Sequence, residues 1–110
     1  MKSQFTLEGE ASYCGKHWKF NSLKELDLLI GYVTLDREIE ENHEIECETT
    51  YKTPKSNGTI RISSFNELKL MRIKLGILYF KYMEDKPEFL DYKLAKIDEL
   101  KTELAKYFKH

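Results

Sequence analysis

The chain has 110 residues, of which 41% are hydrophobic and 13% aromatic, so it can build a core and global disorder is excluded. A formal net charge of −1 argues against a general nucleic-acid binder. We expect a single domain over residues 1–110.

The charges are unevenly distributed along the chain. Residues 1–50 carry five Lys or Arg against eleven Asp or Glu, whereas residues 51–110 carry thirteen against eight. The longest uncharged apolar run, residues 28–35, is far shorter than the roughly 20 residues that span a bilayer. The first residues lead into a strand pattern and not into a signal-peptide core. These two observations predict a cytoplasmic protein, in which we expect the two cysteines to be reduced thiols.

The first predicted element is a β-hairpin. Apolar residues alternate with polar ones over residues 5–13, which indicates a half-buried strand. A two-residue turn on Gly15-Lys16 would pair Tyr13 with Trp18 on the apolar face. Residues 18–20 then form the second strand.

Two capping boxes predict helix starts, Ser22 with Glu25 and Ser64 with Glu67. The first helix is expected to end at Gly31. Residues 32–40 and 44–52 both alternate, which predicts two strands joined by a turn at 41–43, although residues 32–40 are the weakest assignment and the alternative is that they continue the helix. A third strand follows at 59–62.

The helix after Ser64 is apolar on most sides, and an amphipathic helix from about residue 87 to 109 is expected to cover its flank. A coiled-coil dimer through Leu90, Ile97 and Leu104 is less favoured, because Lys101 interrupts the seam. The choice between monomer and dimer stays open.

The resulting order is ββαβββαα. It predicts an α+β fold with a mainly antiparallel sheet, helices on one face of that sheet and a C-terminal helical hairpin. The expected core consists of the residues Phe5, Leu7, Trp18, Phe20, Leu26, Ile30, Ile45, Tyr51, Ile60, Ile62, Leu75 and Leu78.

Metal binding and catalysis receive little support. The pairs Cys14/His17 and His43/Cys47 have spacings that zinc sites use. However, Cys47 shares the parity of the core residues while the other pair flanks a turn, so we expect no metal. Since no nucleophile, phosphate-loop or metalloprotease motif is present, we predict a protein that is not an enzyme and needs no cofactor.

Residues 36–48 hold seven carboxylates and one arginine. If the predicted strands paired around residues 41–43, Glu40 would face Glu44, Glu38 would face Glu46 and Asp36 would face Glu48. Like charges directly opposite each other are destabilising, so we expect this surface to bind a positively charged partner that relieves the repulsion. The predicted partner-binding residues are Asp36, Glu38, Glu40, Glu44, Glu46 and Glu48.

This acidic surface predicts a small protein-binding module or inhibitor that mimics nucleic acid and engages a basic protein, such as one that handles nucleic acid. Small accessory proteins of phages and mobile elements offer an analogy. A plainer interpretation is a solvated charged face. The alternative function is nucleic-acid binding through the basic C-terminal helices. No membrane partner is expected.

Overall fold

The computed structural model describes residues 4–38, 43–83, 88 and 90–106. Four antiparallel strands form one sheet in the order β2-β1-β3-β4. The strands are β1 (Thr6–Tyr13), β2 (Lys16–Phe20), β3 (Ile45–Lys52) and β4 (Asn57–Ile62), and the helices are α1 (Leu23–Glu38), α2 (Phe65–Lys81) and α3 (Leu90–Lys106). The α+β fold, the antiparallel sheet and the C-terminal helical pair are confirmed. The predicted order ββαβββαα is wrong by one strand, because the described elements run ββαββαα.

The β1–β2 hairpin is confirmed, but its turn lies one residue earlier than predicted. Cys14 and Gly15 occupy the turn with φ values of 55° and 73°. Positive φ at both central residues is the type I′ geometry that matches the twist of the flanking strands. Ala11 therefore faces Trp18, and Gly9 faces Phe20. The register moves by two residues, which keeps every side chain on its predicted face.

Helix α1 is longer than predicted, and the strand expected over residues 32–40 is wrong. Residues 32–38 continue the helix, since Val33 adds another turn to the buried stripe of Leu26 and Leu29. Gly31 lies in the helix interior without the left-handed φ of a helix-ending glycine. Residues 39–42, which include most of the predicted turn, lie outside the described part of the chain.

The core lies between the inner face of the sheet and helices α1 and α2. Seven of the twelve predicted core residues are buried in this cluster, and the other five are partly buried against it. Helix α3 packs on the outer side of α2, where the rings of Phe80 and Tyr92 meet edge to face at 6.1 Å. None of the described helices is both long and apolar enough to span a bilayer.

The two halves of the sheet are related by an internal pseudo-twofold axis. Each half consists of an inner strand, an edge strand and a helix, so that β1-β2-α1 corresponds to β3-β4-α2. The order across the sheet is therefore edge, inner, inner, edge from either side. Both helices start at a capping serine, whose hydroxyl accepts the backbone N–H of Glu25 in α1 and of Glu67 in α2. Equivalent helix positions are also enclosed alike; these pairs are Leu26 with Leu68, Leu29 with Met71 and Val33 with Leu75.

Candidate protein-binding face

The outward side of the sheet is its solvent-facing surface. Side chains alternate strictly in β1 and through most of β3, so that one set is buried and the other exposed. Helices α1 and α2 cover only the buried set, and within the described part of the chain no element packs on the other. We call this outward side the open face.

A row of four charged residues crosses the middle of the open face. The strand register places Lys19 opposite Glu10, Glu10 opposite Glu48, and Glu48 opposite Arg61. The order of charges across the four strands is therefore positive, negative, negative, positive. We call these four residues the charge row.

Each glutamate of the charge row has a cation on its outer side. Arg61 Nε lies 3.1 Å from Glu48 Oε2, and Lys19 Nζ lies 3.8 Å from Glu10 Oε1. His17 Nε2 lies 3.6 Å from the other oxygen of Glu10. These ion pairs are exposed and contribute little stability. The two cations therefore reduce the repulsion between the opposed carboxylates of Glu10 and Glu48 but do not cancel it.

Two further glutamates enlarge the negative centre. Glu8 and Glu46 are exposed on the open face, two residues from Glu10 and Glu48 respectively. Neither forms an ion pair with another described residue. Shallow depressions adjoin the row on both sides, and Glu10 and Glu48 line both of them. We call Glu8, Glu10, Glu46 and Glu48 the acidic cluster.

The acidic cluster follows the internal symmetry. Glu10 and Glu48 face each other across the pseudo-twofold axis, and Glu8 and Glu46 each lie two residues before them. Lys19 and Arg61 are likewise equivalent, because each precedes its capping serine by three residues. The sequence signals were present, since Glu8 and Glu10 lie on the polar parity of β1. The pairing of β1 with β3 was not foreseen, and without it these residues could not be placed beside Glu46 and Glu48.

The six predicted partner-binding residues do not form the predicted row, because residues 36–38 are helical. Glu46 and Glu48 lie on the open face as expected, and Glu44 is exposed just before β3. Glu38 ends α1, whereas Glu40 lies outside the described residues. The opposed pairs Glu38/Glu46 and Asp36/Glu48 are therefore wrong; Glu10, and not Asp36, faces Glu48, and the pair Glu40/Glu44 falls outside the described residues.

Asp36 instead belongs to a partly buried cluster with Tyr13 and His43. Its carboxylate accepts a hydrogen bond from the Tyr13 hydroxyl and lies 3.2 Å from His43 Nδ1. Burial raises the pKa of Tyr13 to about 12, and the hydrogen bond to Asp36 acts in the same direction. The bond from Tyr13 lowers the pKa of Asp36 below its usual value; desolvation opposes that shift and the contact with His43 supports it.

The four potential zinc ligands are not brought together. Cys14 is exposed in the hairpin turn, while Cys47 is buried on the opposite face from His17 and contacts Thr49 Oγ1. His43 pairs with Asp36. Within the described ranges, no group of three or more His, Cys, Asp or Glu side chains is arranged to hold a metal ion. Burial raises the pKa of the Cys47 thiol, which favours the unreactive protonated form.

No protein-family model, curated protein or solved structure matches this chain. Functional arguments therefore rest on the charges and geometry of the surface itself.

The basic helices offer a less organised surface than the open face. Lysines of α3 alternate with acidic residues, and Lys96 lies 3.7 Å from Glu99. Lys69 and Lys96 lie over the rings of Phe65 and Tyr92. Pairs of this kind are typical of a solvated helix surface.

Proposed function

We propose that the protein is a cytoplasmic protein-binding module, acting by binding and not by catalysis, whose acidic cluster engages a basic surface of a partner such as a nucleic-acid-handling protein. The observation that carries this proposal is the uncovered Glu10–Glu48 pair at the centre of the sheet. The exposed, unpaired thiol of Cys14 supports a reducing compartment.

The opposed pair is unfavourable in the free protein. Directly opposed like charges on a sheet cost about 0.2–1 kcal/mol. Lysine or arginine side chains of a partner, placed above the pair, would convert this repulsion into attraction. Because carboxylates two residues apart lie about 6.7 Å from each other along a strand, the cluster presents repeated negative charge of the kind that a nucleic-acid-binding surface recognises. An inhibitor that occupies such a surface would use this geometry.

The first prediction tests this proposal by charge reversal. The variant Glu8→Lys/Glu46→Lys changes the two cluster members that have no ion pair, so it should fold normally and melt at an equal or higher temperature. The matched control Asp98→Lys/Glu103→Lys applies the same charge change to exposed residues of α3. Proteins captured from the native cell by wild type and control, but not by the cluster variant, are the candidate partners.

The affinity of a purified candidate is then measured at several salt concentrations. We expect the cluster variant to weaken binding at least about tenfold and to flatten its salt dependence, since charge steering is lost. Unchanged affinity and salt dependence would refute the role of the cluster. Titration with single- and double-stranded DNA tests the alternative: tight binding with a steep salt slope would favour the basic helices.

A further inference from the structure

The outer face of α1 carries apolar side chains that no described element covers. Leu28 and Leu35 are 66% and 65% exposed, the highest values among the large hydrophobic residues of the described chain. They lie on one side of the helix together with Gly31, at spacings of three and four residues. Lys24 and Glu38 extend the same line at its two ends. We call these five residues the α1 seam.

The equivalent face of α2 indicates what kind of element can pack on the α1 seam. Under the internal symmetry, Leu28, Gly31 and Leu35 correspond to Leu70, Ile73 and Ile77. Helix α3 packs on α2, and on this side of α2 Ile73 is only 3% exposed while Leu70 and Ile77 are half-buried. The α1 seam is thus the counterpart of a helix-docking surface, and it lies on the opposite side of the molecule from the acidic cluster.

Gly31 points to close approach by another backbone. A glycine inside a helix is less favourable than alanine, so the position needs a compensating reason. A Cβ atom at Gly31 would meet nothing within 4 Å, so this chain supplies no such reason itself. Where two helices cross, the distance between their axes depends on the side chains at the contact, and glycine permits the shortest distance.

The charges at the two ends of the α1 seam favour a second copy of the same helix as its binding partner. Lys24 and Glu38 each lie seven residues from Gly31, which is about 10.5 Å along the helix axis in opposite directions. In an antiparallel pair of α1 helices centred on Gly31, Lys24 of each copy faces Glu38 of the other, and Leu28 packs beside Leu35. A parallel pair would place like charges together. Neither charged residue forms an ion pair with another described residue.

We propose that the protein forms a weak, reversible homodimer in which the α1 seams of two copies cross antiparallel at a shallow angle about Gly31. This inference goes beyond the proposed partner binding and does not depend on it. A seam of one helix is smaller than a stable permanent interface, so the dimer is expected to dissociate on dilution.

Sedimentation velocity of the full chain over a range of concentrations tests the dimer. Wild type should sediment progressively faster as concentration rises. Leu28→Glu should abolish this shift, whereas the matched control Leu94→Glu, which changes a 56% exposed leucine of α3, should preserve it. Gly31→Gln should raise the dimer Kd at least about tenfold, equivalent to about 1.4 kcal/mol. The same change should raise the monomer Tm, because glutamine is the better helix former.

Charge exchange tests the antiparallel arrangement. Lys24→Glu and Glu38→Lys should each weaken the dimer, and the double variant should restore it. A wild type that stays monomeric at all concentrations would overturn the proposal. So would a dimer that survives Leu28→Glu or is lost with Leu94→Glu. Failure of the double variant to recover would overturn the antiparallel arrangement about Gly31.

Discussion

Tyr13 is the largest fully enclosed side chain among the described residues, and its hydroxyl is tied to Asp36. Its ring also meets the His43 ring edge to face at 5.8 Å. These contacts connect the end of β1 with the last turn of α1 and the entry to β3. The Tyr13 side chain therefore links three segments of the chain, and the protonation state of its hydroxyl affects the free energy of unfolding.

The second prediction concerns this group at high pH. The folded-state pKa of Tyr13, about 12, lies above its ordinary value of 10.0, so folding favours the neutral phenol. Its contribution to the free energy of unfolding is complete below pH 10 and is lost as pH rises toward 12. We expect wild type to lose stability in this range and Tyr13→Phe to lose less. Urea unfolding of both proteins measures the difference, and parallel losses would contradict the prediction.

Local signals predicted the hairpin correctly but misplaced its turn. Glycine was expected at the first turn position, whereas Cys14 holds it with a left-handed φ of 55°. Few non-glycine residues adopt this conformation, so a sequence offers no reason to choose cysteine for it. The preference for a type I′ turn and the pairing of Phe20 over Gly9 together decide the register.

At the scale of elements, two helix glycines differ in their surroundings and in the expected result of substitution. Gly31 faces open space, whereas a Cβ atom at Gly76 would lie 2.6 Å from Arg72 Nη1 and 3.2 Å from Leu100 Cδ1. Arg72 binds Asp27 through two nitrogens, which joins α2 to α1. Gly76 is therefore a packing position as well as a helix position.

The third prediction compares alanine at these two sites. Gly31→Ala should raise the free energy of unfolding by about 0.5–1 kcal/mol, through helix propensity alone. Gly76→Ala gains the same propensity but must displace Arg72 and Leu100, so its stability should be lower than that of Gly31→Ala by at least about 1 kcal/mol. Denaturant unfolding at low protein concentration keeps self-association out of the comparison. Equal changes in the free energy of unfolding would contradict the prediction, because they would show that Arg72 and Leu100 move away from Gly76 at no cost.

Helix α1 shows where sequence patterns mislead at this scale. Val33, Leu35 and Ile39 alternate as in a strand, but Val33 also continues the 3.6-residue stripe of α1. The helical pattern prevails because it aligns Val33 with Leu26 and Leu29 on one buried stripe of α1. Leu35, which a strand would place on the same face as Val33, is left exposed. Patterns with both periods are resolved by tertiary packing, which a single sequence does not reveal.

At the scale of the whole molecule, stability is expected to be uneven. Strands β1 and β3 are central and each is paired on both sides, whereas no residue of α3 is buried. Segments with few enclosed contacts open at lower free energy than the core. The fold thus consists of a sheet with two helices and a more loosely attached third helix.

The fourth prediction follows from this difference. Native-state hydrogen exchange should show lower protection for amides of α3 than for those of β1 and β3. Leu100→Ala should lower the protection of α3 further, by about 1 kcal/mol, because Leu100 is only partly enclosed. Leu94→Ala, at an exposed position of the same helix, serves as the control. Equal protection in all three elements would contradict this view of α3.

Fold class and core composition could be predicted because they depend on local periodicity, which is read along the chain. The acidic cluster was only half predicted. Glu46 and Glu48 stood out within a dense acidic segment, but Glu8 and Glu10 join them through the pairing of strands that α1 separates in sequence. Long-range pairing of this kind leaves no local signal, since the same alternation fits any neighbouring strand.

The charge row reads the same from both ends. A partner that recognises only its order of charges meets an equivalent surface after a rotation of half a turn, so it has two acceptable approach orientations instead of one. Docking rates are limited largely by the orientations that lead to binding, so this degeneracy favours rapid capture. The choice between the two final poses then falls to features that the axis does not repeat, chiefly His17 beside Glu10 and the Thr50–Thr59 contact.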